Sequence, residues 1–218
     1  MMKEFIKKQQ YNYIKRCLGD LNSAFRNCID AKIIETVKAS CQEKILSIFQ
    51  GLSLEQKEIL DISKITDPLN IEAYLKKLDQ YVYGMDKVTV TEIIKVFKKE
   101  KKLKIPNLEK LDSKLVYLGW IDESTRKLLI TYKLDGKLLG MACRLPKTNS
   151  KSTNICTFCN RVGSEQEVAF VSPICKQVRE DDYKSLGFYV CLDSDKCNER
   201  IESVEKLENI LKTVNRIK

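Results

Sequence analysis

Histidine is absent from this sequence of 218 residues. Because histidine is the most common general base, its absence argues against ordinary Ser-His-Asp and Cys-His catalytic sites. The sequence also contains neither a P-loop pattern nor a glycine-rich dinucleotide-binding loop. These absences favour a binding protein, and we expect no enzymatic activity.

Long apolar runs are absent as well. No stretch approaches the about 20 apolar residues that a transmembrane helix needs, and residues 1–5 lack the apolar run of a signal peptide. The cysteines number nine, which is odd, so reduced thiols fit the sequence better than a disulfide framework does. We therefore expect a cytoplasmic protein without membrane contact.

The chain is basic, with 39 lysine and arginine residues against 30 aspartate and glutamate residues and a net charge of +9. Such an excess predicts an acidic partner, whether nucleic acid, a ribonucleoprotein or an acidic protein. The densest run of cations consists of Lys95, Lys98, Lys99, Lys101, Lys102 and Lys104. A run of this kind is most often a solvated face. The alternative is contact with phosphates or an acidic surface, which salt would weaken.

Four cysteines in the C-terminal half have the spacing of a zinc site. Two residues separate Cys156 from Cys159, and five separate Cys191 from Cys197. Thiolates from a tight turn, a strand end and the start of a helix can form a tetrahedron around one Zn²⁺. Since four protein ligands leave no open position, we predict a structural site that contributes on the order of 10 kcal/mol to folding.

Other interpretations of these cysteines remain open. The first pair could be a redox motif with Cys159 as the nucleophile, or all four could be unrelated small apolar residues. Cys175 is a rival zinc ligand. The presence of the second pair, Cys191 and Cys197, favours the metal site over the redox motif.

The first part of the chain has the pattern of helices. Apolar residues recur at three- and four-residue steps in four stretches. Ser53 and Gln56 have the spacing of a capping box, and Asp67-Pro68 marks a break. Helices joined by short turns are typical of a bundle. We therefore predict a four-helix bundle over residues 1–83.

Residues 84–218 combine helices with strands. Asp135-Gly136 is a dipeptide that tight hairpins prefer, and polar residues 146–154 and charged residues 177–183 predict exposed loops. A final helix is predicted over 199–217. Period-two patterns predict strands over residues 116–121, 128–132, 138–143, 168–171 and 188–190. This order, a zinc turn followed by a hairpin and a helix, indicates a treble-clef-like finger in a mixed α/β domain. We predict that the chain as a whole belongs to the α+β class.

Beyond these patterns, the sequence resembles the FusB-type fusidic acid resistance proteins, which bind bacterial elongation factor G. The likeness covers nearly the whole chain and rests on the helical first part, the lysine run 95–104 followed by Ile105-Pro106, Gly119-Trp120 and the cysteine spacing. The resemblance implies a two-domain cytoplasmic protein with a four-cysteine zinc finger. It also implies that the C-terminal domain binds the factor and releases it from ribosomes stalled by fusidic acid, without modifying the drug. We expect a monomer.

The resemblance further implies contacts with the factor beside the zinc site. Tyr189 matches the family tyrosine that lies two residues before the third cysteine. Ile155 stands where the family has an aromatic residue, Leu186 stands where it has a lysine, and a contact on the last helix falls near Ile210. By strand alternation only one of Phe188 and Tyr189 faces outward, and we favour Tyr189.

The sequence supports two hypotheses about function. The first is a protein that binds elongation factor G and meets the ribosome only indirectly. The second is a zinc-dependent RNA-binding or ribosome-binding protein that uses the lysine run and the finger. The net charge supports the second hypothesis, but the sequence lacks the repeated exposed aromatic residues of a stacking platform.

Overall fold

The computed structural model describes residues 3–111, 114–146, 152–176 and 185–217. The chain divides into two compact units, Met1–Tyr83 and Gly84–Lys218. Within the described ranges, every helix is too short or too polar to cross a membrane.

Among its described residues, the N-terminal unit contains four α-helices: α1 (Lys8–Asn27), α2 (Ala31–Ser47), α3 (Leu54–Ile59) and α4 (Pro68–Leu78). The side chains of Asp30, Ser53 and Asp67 accept hydrogen bonds from N–H groups at the starts of α2, α3 and α4, where backbone donors have no partner within the helix. Gln56 completes the predicted capping box, since its side-chain oxygen accepts from the Ser53 N–H at 3.0 Å. The predicted helical bundle is confirmed.

The core of this unit forms where α1 packs against α2. Leu18 is fully buried there, and the Cys41 thiol donates to the Cys17 carbonyl at 3.1 Å. A short parallel pair, β1 (Ile6–Lys7) and β2 (Val82–Tyr83), joins the two ends of the unit. Strands of two residues carry no periodicity, so the sequence pattern could not predict them.

The C-terminal unit combines strands and helices. Its helices are α5 (Val90–Val96), α6 (Ser194–Asn198) and α7 (Glu205–Asn215). Its strands are β3 (Leu118–Asp122), β4 (Lys127–Leu134), β5 (Lys137–Arg144), β6 (Thr153–Ile155), β7 (Val162–Ser164), β8 (Val168–Pro173) and β9 (Phe188–Cys191). An antiparallel sheet has the order β3-β4-β5-β8-β9, and β6 and β7 form a separate hairpin. The predicted α+β class is confirmed.

The centre of the sheet is the hairpin of β4 and β5, which turns at the predicted dipeptide. Asp135 has a φ of 49° and Gly136 a φ of 74°, and a two-residue type I′ turn requires positive φ at both positions. The two strands then pair from Leu134 opposite Lys137 to Lys127 opposite Arg144. This hairpin carries apolar side chains on both of its faces.

The two faces of the hairpin belong to different cores. Ile130 and Met141 pack in the core that includes α7 and the cysteine region. Leu129 and Ala142 pack in the core that includes α5. Because successive side chains of a strand point to opposite faces, neighbouring residues of β4 and β5 pack in different cores.

One predicted strand begins later than expected. The pattern over residues 116–121 predicted a strand there, but β3 begins at Leu118. The N–H groups of Val116 and Tyr117 donate to the Asn198 side chain, at 2.7 Å and 3.0 Å, instead of pairing with a strand. A side chain 81 residues away therefore moves the start of the strand.

Two predicted loops have different outcomes. The loop predicted over 146–154 contains the start of β6, because Thr153 pairs with Ser164 of β7. A three-residue strand is too short for alternation to be visible in sequence. The loop predicted over 177–183 lies outside the described residues.

Asn198 is a buried polar clamp between α6 and the segment before β3. Its side chain is 2% exposed. Its Oδ1 atom accepts the hydrogen bonds from the N–H groups of Val116 and Tyr117. Its Nδ2 atom donates to the carbonyls of Tyr117 at 3.0 Å and Ser194 at 2.8 Å. All four contacts satisfy groups that burial removes from water.

We expect Asn198→Ala to destabilise the C-terminal unit. It leaves the buried N–H groups of Val116 and Tyr117 without an acceptor, which should lower the free energy of unfolding by about 3 kcal/mol. Trp120, the single tryptophan, lies in this unit and reports its unfolding by fluorescence in urea. The control is Asn209→Ala on the exposed side of α7. Equal urea midpoints for the two variants would contradict the clamp.

Candidate metal centre and exposed apolar face

The four predicted zinc ligands come from three parts of the C-terminal unit. Cys156 and Cys159 lie in the turn between β6 and β7, Cys191 ends β9, and Cys197 lies in α6. The turn is tight because the Asn160 N–H donates to the Cys156 carbonyl at 2.9 Å and Asn160 has a φ of 57°. Both sulfurs of the first pair therefore lie on one side of the turn.

The second pair is brought together by the start of α6. The Asp193 carboxylate caps this helix by accepting from the Lys196 N–H at 2.9 Å. The Cys197 N–H then donates to the Asp193 carbonyl at 3.1 Å. Because the helix begins three residues after Cys191, the chain turns back and places the Cys197 thiol beside the strand end.

The sulfur cluster has the dimensions of a tetrathiolate metal site. All four Sγ atoms lie within 4.8 Å of one another. The Sγ atoms of Cys159 and Cys191 are 3.6 Å apart, and those of Cys156 and Cys197 are 3.9 Å apart. A tetrahedron with Zn–S bonds of about 2.3 Å has S–S edges of about 3.8 Å, whereas a disulfide bond is about 2.05 Å long. The four thiols therefore fit a zinc ion, and neither close pair is a disulfide.

Cys175, the rival ligand, lies apart from this cluster. Its Sγ is 3.9 Å from the Pro173 carbonyl, and the half-buried side chain packs against the main core. Within the described ranges, the group of residues placed to hold a metal ion consists of Cys156, Cys159, Cys191 and Cys197.

Arg200 is a positive charge beside the sulfurs. Its Nη2 atom lies 3.7 Å from the Cys191 Sγ. Burial acts to lower the pKa of Arg200, but hydrogen bonds with Cys159 and Cys191 outweigh burial and raise it. Hydrogen bonds from the neighbouring thiols, that of Cys156 foremost, lower the pKa of Cys159. Four thiolates around one divalent ion keep a net negative charge, and the guanidinium offsets part of it.

Four large apolar side chains are exposed on the strands around this centre. Their exposed fractions run from 40% for Tyr189 to 59% for Ile155, with Val162 and Phe170 between them. Ile155 pairs with Val162 across the β6–β7 hairpin, and Phe170 pairs with Tyr189 across β8 and β9. Directly opposite residues of an antiparallel pair point to the same face, so each ribbon presents an apolar pair.

The two ribbons are joined beside the first cysteine. The Thr157 N–H donates to the Tyr189 carbonyl at 2.8 Å, which places the end of β6 next to the middle of β9. The rings of Phe170 and Tyr189 meet edge to face with centroids 5.3 Å apart. We call the set Ile155, Val162, Phe170 and Tyr189 the apolar finger face.

The other predicted contact residues are less accessible. Leu186 and Ile210 are half-buried and pack against the main core of the unit. Phe188 is buried while its neighbour Tyr189 is exposed, which is the alternation that the sequence favoured. The structure therefore exposes both Ile155 and Tyr189 and leaves Leu186 and Ile210 partly inside.

Sequence reasoning missed three residues of this region: Val162, Phe170 and Arg200. Phe170 stands in a run of apolar residues, so alternation alone does not say which of them face water. Val162 belongs to a three-residue strand. A basic residue three positions after Cys197 is a weak signal for Arg200, since metal-bound thiolates favour a nearby positive charge.

Comparisons with known proteins bear on both units. Residues 5–86 match the family model described as "Elongation factor G-binding protein, N-terminal", and residues 91–216 match that described as "FBP C-terminal treble-clef zinc-finger". The chain is similar to a solved structure described as "Structure of the fusidic acid resistance protein FusC", with a TM-score of 0.77 and 25% identity over 97% of this chain and 98% of that chain. Among curated protein sequences there was no match.

These findings agree with the geometry of the unit and confirm the resemblance. The model that matches residues 91–216 covers more than half of the chain. Its treble-clef zinc finger corresponds to the cysteine turn, the strands and α6 around the four sulfurs. The likeness to FusC extends over nearly the full length of both chains. The chain therefore belongs to the family of elongation factor G-binding proteins that includes the FusB-type fusidic acid resistance proteins.

Proposed function

We propose that this chain binds bacterial elongation factor G and promotes its release from ribosomes on which fusidic acid has stalled it. Resistance then comes from protection of the target, and the drug is not modified. The observation that carries the proposal is the apolar finger face, which is exposed beside the cysteine cluster in a member of the elongation factor G-binding family. The protein acts as a monomer in the cytoplasm and performs no chemistry on its partner.

Zinc has a structural role in this proposal. Cys156, Cys159, Cys191 and Cys197 would hold the ion, which supplies folding energy to a region with short strands. The ligands connect the β6–β7 turn, the end of β9 and α6. Ile155 precedes the first ligand, and Tyr189 lies two residues before the third. A zinc ion that holds the cysteines in place would therefore also hold these two residues of the apolar finger face in place.

The apolar finger face has the chemistry of a protein-docking site. Aromatic side chains are enriched among the residues that dominate binding energy, and Phe170 and Tyr189 hold each other in place by ring contact. Rigid rings lose little conformational entropy on docking. Leu186 and Ile210 are half-buried against the main core and would add smaller contacts with the factor. The net charge of +9 would favour encounter with an acidic partner.

The two compact units are the two domains of this proposal. Docking belongs to residues 84–218, which contain both the cysteine cluster and the apolar finger face. The bundle over residues 1–83 has the apolar core of an independent unit. It contributes no ligand to the metal centre that the described residues form.

We expect Cys156→Ser to abolish stoichiometric zinc binding, because three thiolates and a hydroxyl do not make a stable tetrathiolate site. Loss of the ion removes on the order of 10 kcal/mol of folding energy, so the finger should unfold. Elemental analysis and amide hydrogen exchange measure these two effects. The matched control is Cys175→Ser, which should keep the metal. A zinc-free Cys156→Ser protein with native exchange protection would contradict a structural role.

We expect Arg200→Gln to weaken zinc retention about 10- to 100-fold, since a positive charge beside metal-bound thiolates is lost. Competition with a chromogenic chelator measures the affinity for zinc. Arg161→Gln is the matched control, because Arg161 is exposed and its guanidinium lies 3.8 Å from the Glu167 carboxylate instead of near a sulfur. Equal zinc affinities for the two variants would show that Arg200 does not act on the centre.

We expect Tyr189→Ala to raise the Kd for purified elongation factor G by at least about 30-fold, a cost of about 2 kcal/mol. Phe170→Ala should have a similar effect because it removes the ring that positions Tyr189. Tyr189→Phe keeps the ring and should retain most of the affinity. Titration calorimetry with nuclease-treated proteins measures binding without RNA.

The control for these variants is Ile94→Ala. Ile94 is 53% exposed on α5, outside the apolar finger face, so its truncation should leave the affinity unchanged. Each variant must first contain wild-type zinc, which separates lost contacts from a lost fold. Unchanged affinity in zinc-loaded Tyr189→Ala would remove this face from the proposed site.

A further inference from the structure

Four exposed lysines lie on three segments that belong to β5 or are anchored on it. Phe97, at the end of α5, packs over Gly140, where an added Cβ would lie 2.9 Å from the Phe97 ring. Lys98 and Lys99 follow Phe97 directly and therefore leave α5 beside β5. Lys137 is the first residue of that strand. Three of the four lysines are thus placed by the packing of α5 on β5.

The fourth lysine, Lys176, lies in the segment after β8, which is also bonded to β5. The Ile174 N–H donates to the Ala142 carbonyl of β5 at 2.9 Å. Two residues later the Lys176 N–H donates to the Val214 carbonyl of α7 at 3.0 Å, and Arg216 Nε donates to the Lys176 carbonyl at 2.6 Å. We call Lys98, Lys99, Lys137 and Lys176 the lysine cluster. Its backbone positions are set by main-chain hydrogen bonds and core packing.

The charges of the other three lysines act on the Lys176 ammonium group. Burial lowers the pKa of Lys176, and repulsion from Lys137, Lys98 and Lys99 lowers it further. All four side chains are exposed. The fold thus gathers like charges at a surface where their repulsion costs stability, and a bound polyanion would relieve that repulsion.

Two acidic side chains of the region, Glu92 and Glu100, are engaged with other lysines. The Glu100 carboxylate lies 2.6 Å from Lys127, and the Glu92 carboxylate lies 3.6 Å from Lys133. Among the ion pairs of the described residues, none involves a member of the lysine cluster. Within the described part of the chain, the charge of the cluster is therefore not offset by an ion pair.

The composition of the cluster favours a phosphate backbone over a protein surface. Protein–protein interfaces are depleted in lysine and enriched in arginine and aromatic residues, whereas lysine is a common partner of nucleic-acid phosphates. The exposed aromatic side chains of the described chain, Phe170 and Tyr189, lie on the finger and not in the cluster. Without aromatic residues for stacking, the cluster is suited to the backbone of a duplex and not to unstacked bases.

We propose that the lysine cluster binds the phosphate backbone of an RNA duplex, independently of base sequence and by a surface separate from the apolar finger face. The choice of RNA over DNA rests on the proposed function, because a partner of a translation factor works among folded RNAs. The phosphate chemistry itself does not rest on it. The protein would then have an apolar surface for a protein partner and a cationic surface for RNA.

The test uses the zinc-loaded full chain and a fluorescent RNA duplex of about 20 base pairs with arbitrary sequence, titrated by anisotropy between about 50 and 200 mM salt. Wild-type affinity should fall steeply with salt. Changing Lys98, Lys99, Lys137 and Lys176 to Gln should lower affinity at least about tenfold. It should also reduce the slope of log K against log salt by about 3.6 if each of the four lysines contacts one phosphate, since each contact contributes about 0.9.

The matched control changes Lys32, Lys44, Lys57 and Lys76 to Gln. These exposed lysines lie in the N-terminal unit, and their removal lowers the net charge by the same four units. The control should bind RNA like the wild type. Equal losses of RNA affinity in both variants would attribute binding to net charge and overturn the proposal. Unchanged affinity in the cluster variant would also overturn it. So would tighter binding to a DNA duplex of the same sequence.

A second measurement separates the two surfaces. In nuclease-treated samples the cluster variant should bind elongation factor G like the wild type, and Tyr189→Ala should bind the RNA duplex like the wild type. Loss of factor binding with intact RNA binding in the cluster variant would assign the lysines to a protein partner and overturn the proposal. If Tyr189→Ala fails to weaken factor binding, the apolar finger face is not the docking site. The RNA titration would still test the lysine cluster, because it does not depend on that face.

Discussion

The convergence of four thiols is the constraint on which the rest of the finger depends. The β6–β7 turn, the end of β9 and the start of α6 are short elements, and three or four residues of strand cannot hold a position in water by themselves. The sulfurs of Cys156, Cys159, Cys191 and Cys197 lie within 4.8 Å of one another, so these elements share one centre. The orientation of the exposed side chains on β6 and β9 follows from that centre.

The C-terminal unit keeps two chemically different surfaces on different elements. The finger strands expose apolar and aromatic side chains, and the end of α5, the start of β5 and the segment after β8 expose lysines. Separation suits both surfaces, because an ammonium group loses hydration in an apolar interface and an exposed aromatic ring adds little to phosphate binding. One face of β4 and β5 packs with α7 and the finger, and the other packs with α5.

Local chemistry made much of the fold predictable. Asp135-Gly136 indicates a hairpin turn through positive φ, Ser53 and Gln56 indicate a helix start, and the cysteine spacing indicates a metal centre, all from residues near one another in sequence. The predicted start of β3 was wrong. The Asn198 side chain accepts hydrogen bonds from the two N–H groups that the pattern had assigned to the strand. The strand β6 was missed, because a three-residue strand is identified by its pairing and not by its periodicity.

The sequence by itself determined the α+β class, the helical first part and the four cysteines that form the sulfur cluster, because these depend on periodicity and short spacings. Only the tertiary structure decided that Phe170 faces water, that Arg200 lies beside Cys191 and that the Lys176 N–H bonds the Val214 carbonyl of α7. Each of these depends on which strands pair and which helices pack on them. Such contacts join residues that are far apart in the chain, so a local sequence pattern cannot show that they lie close together in space.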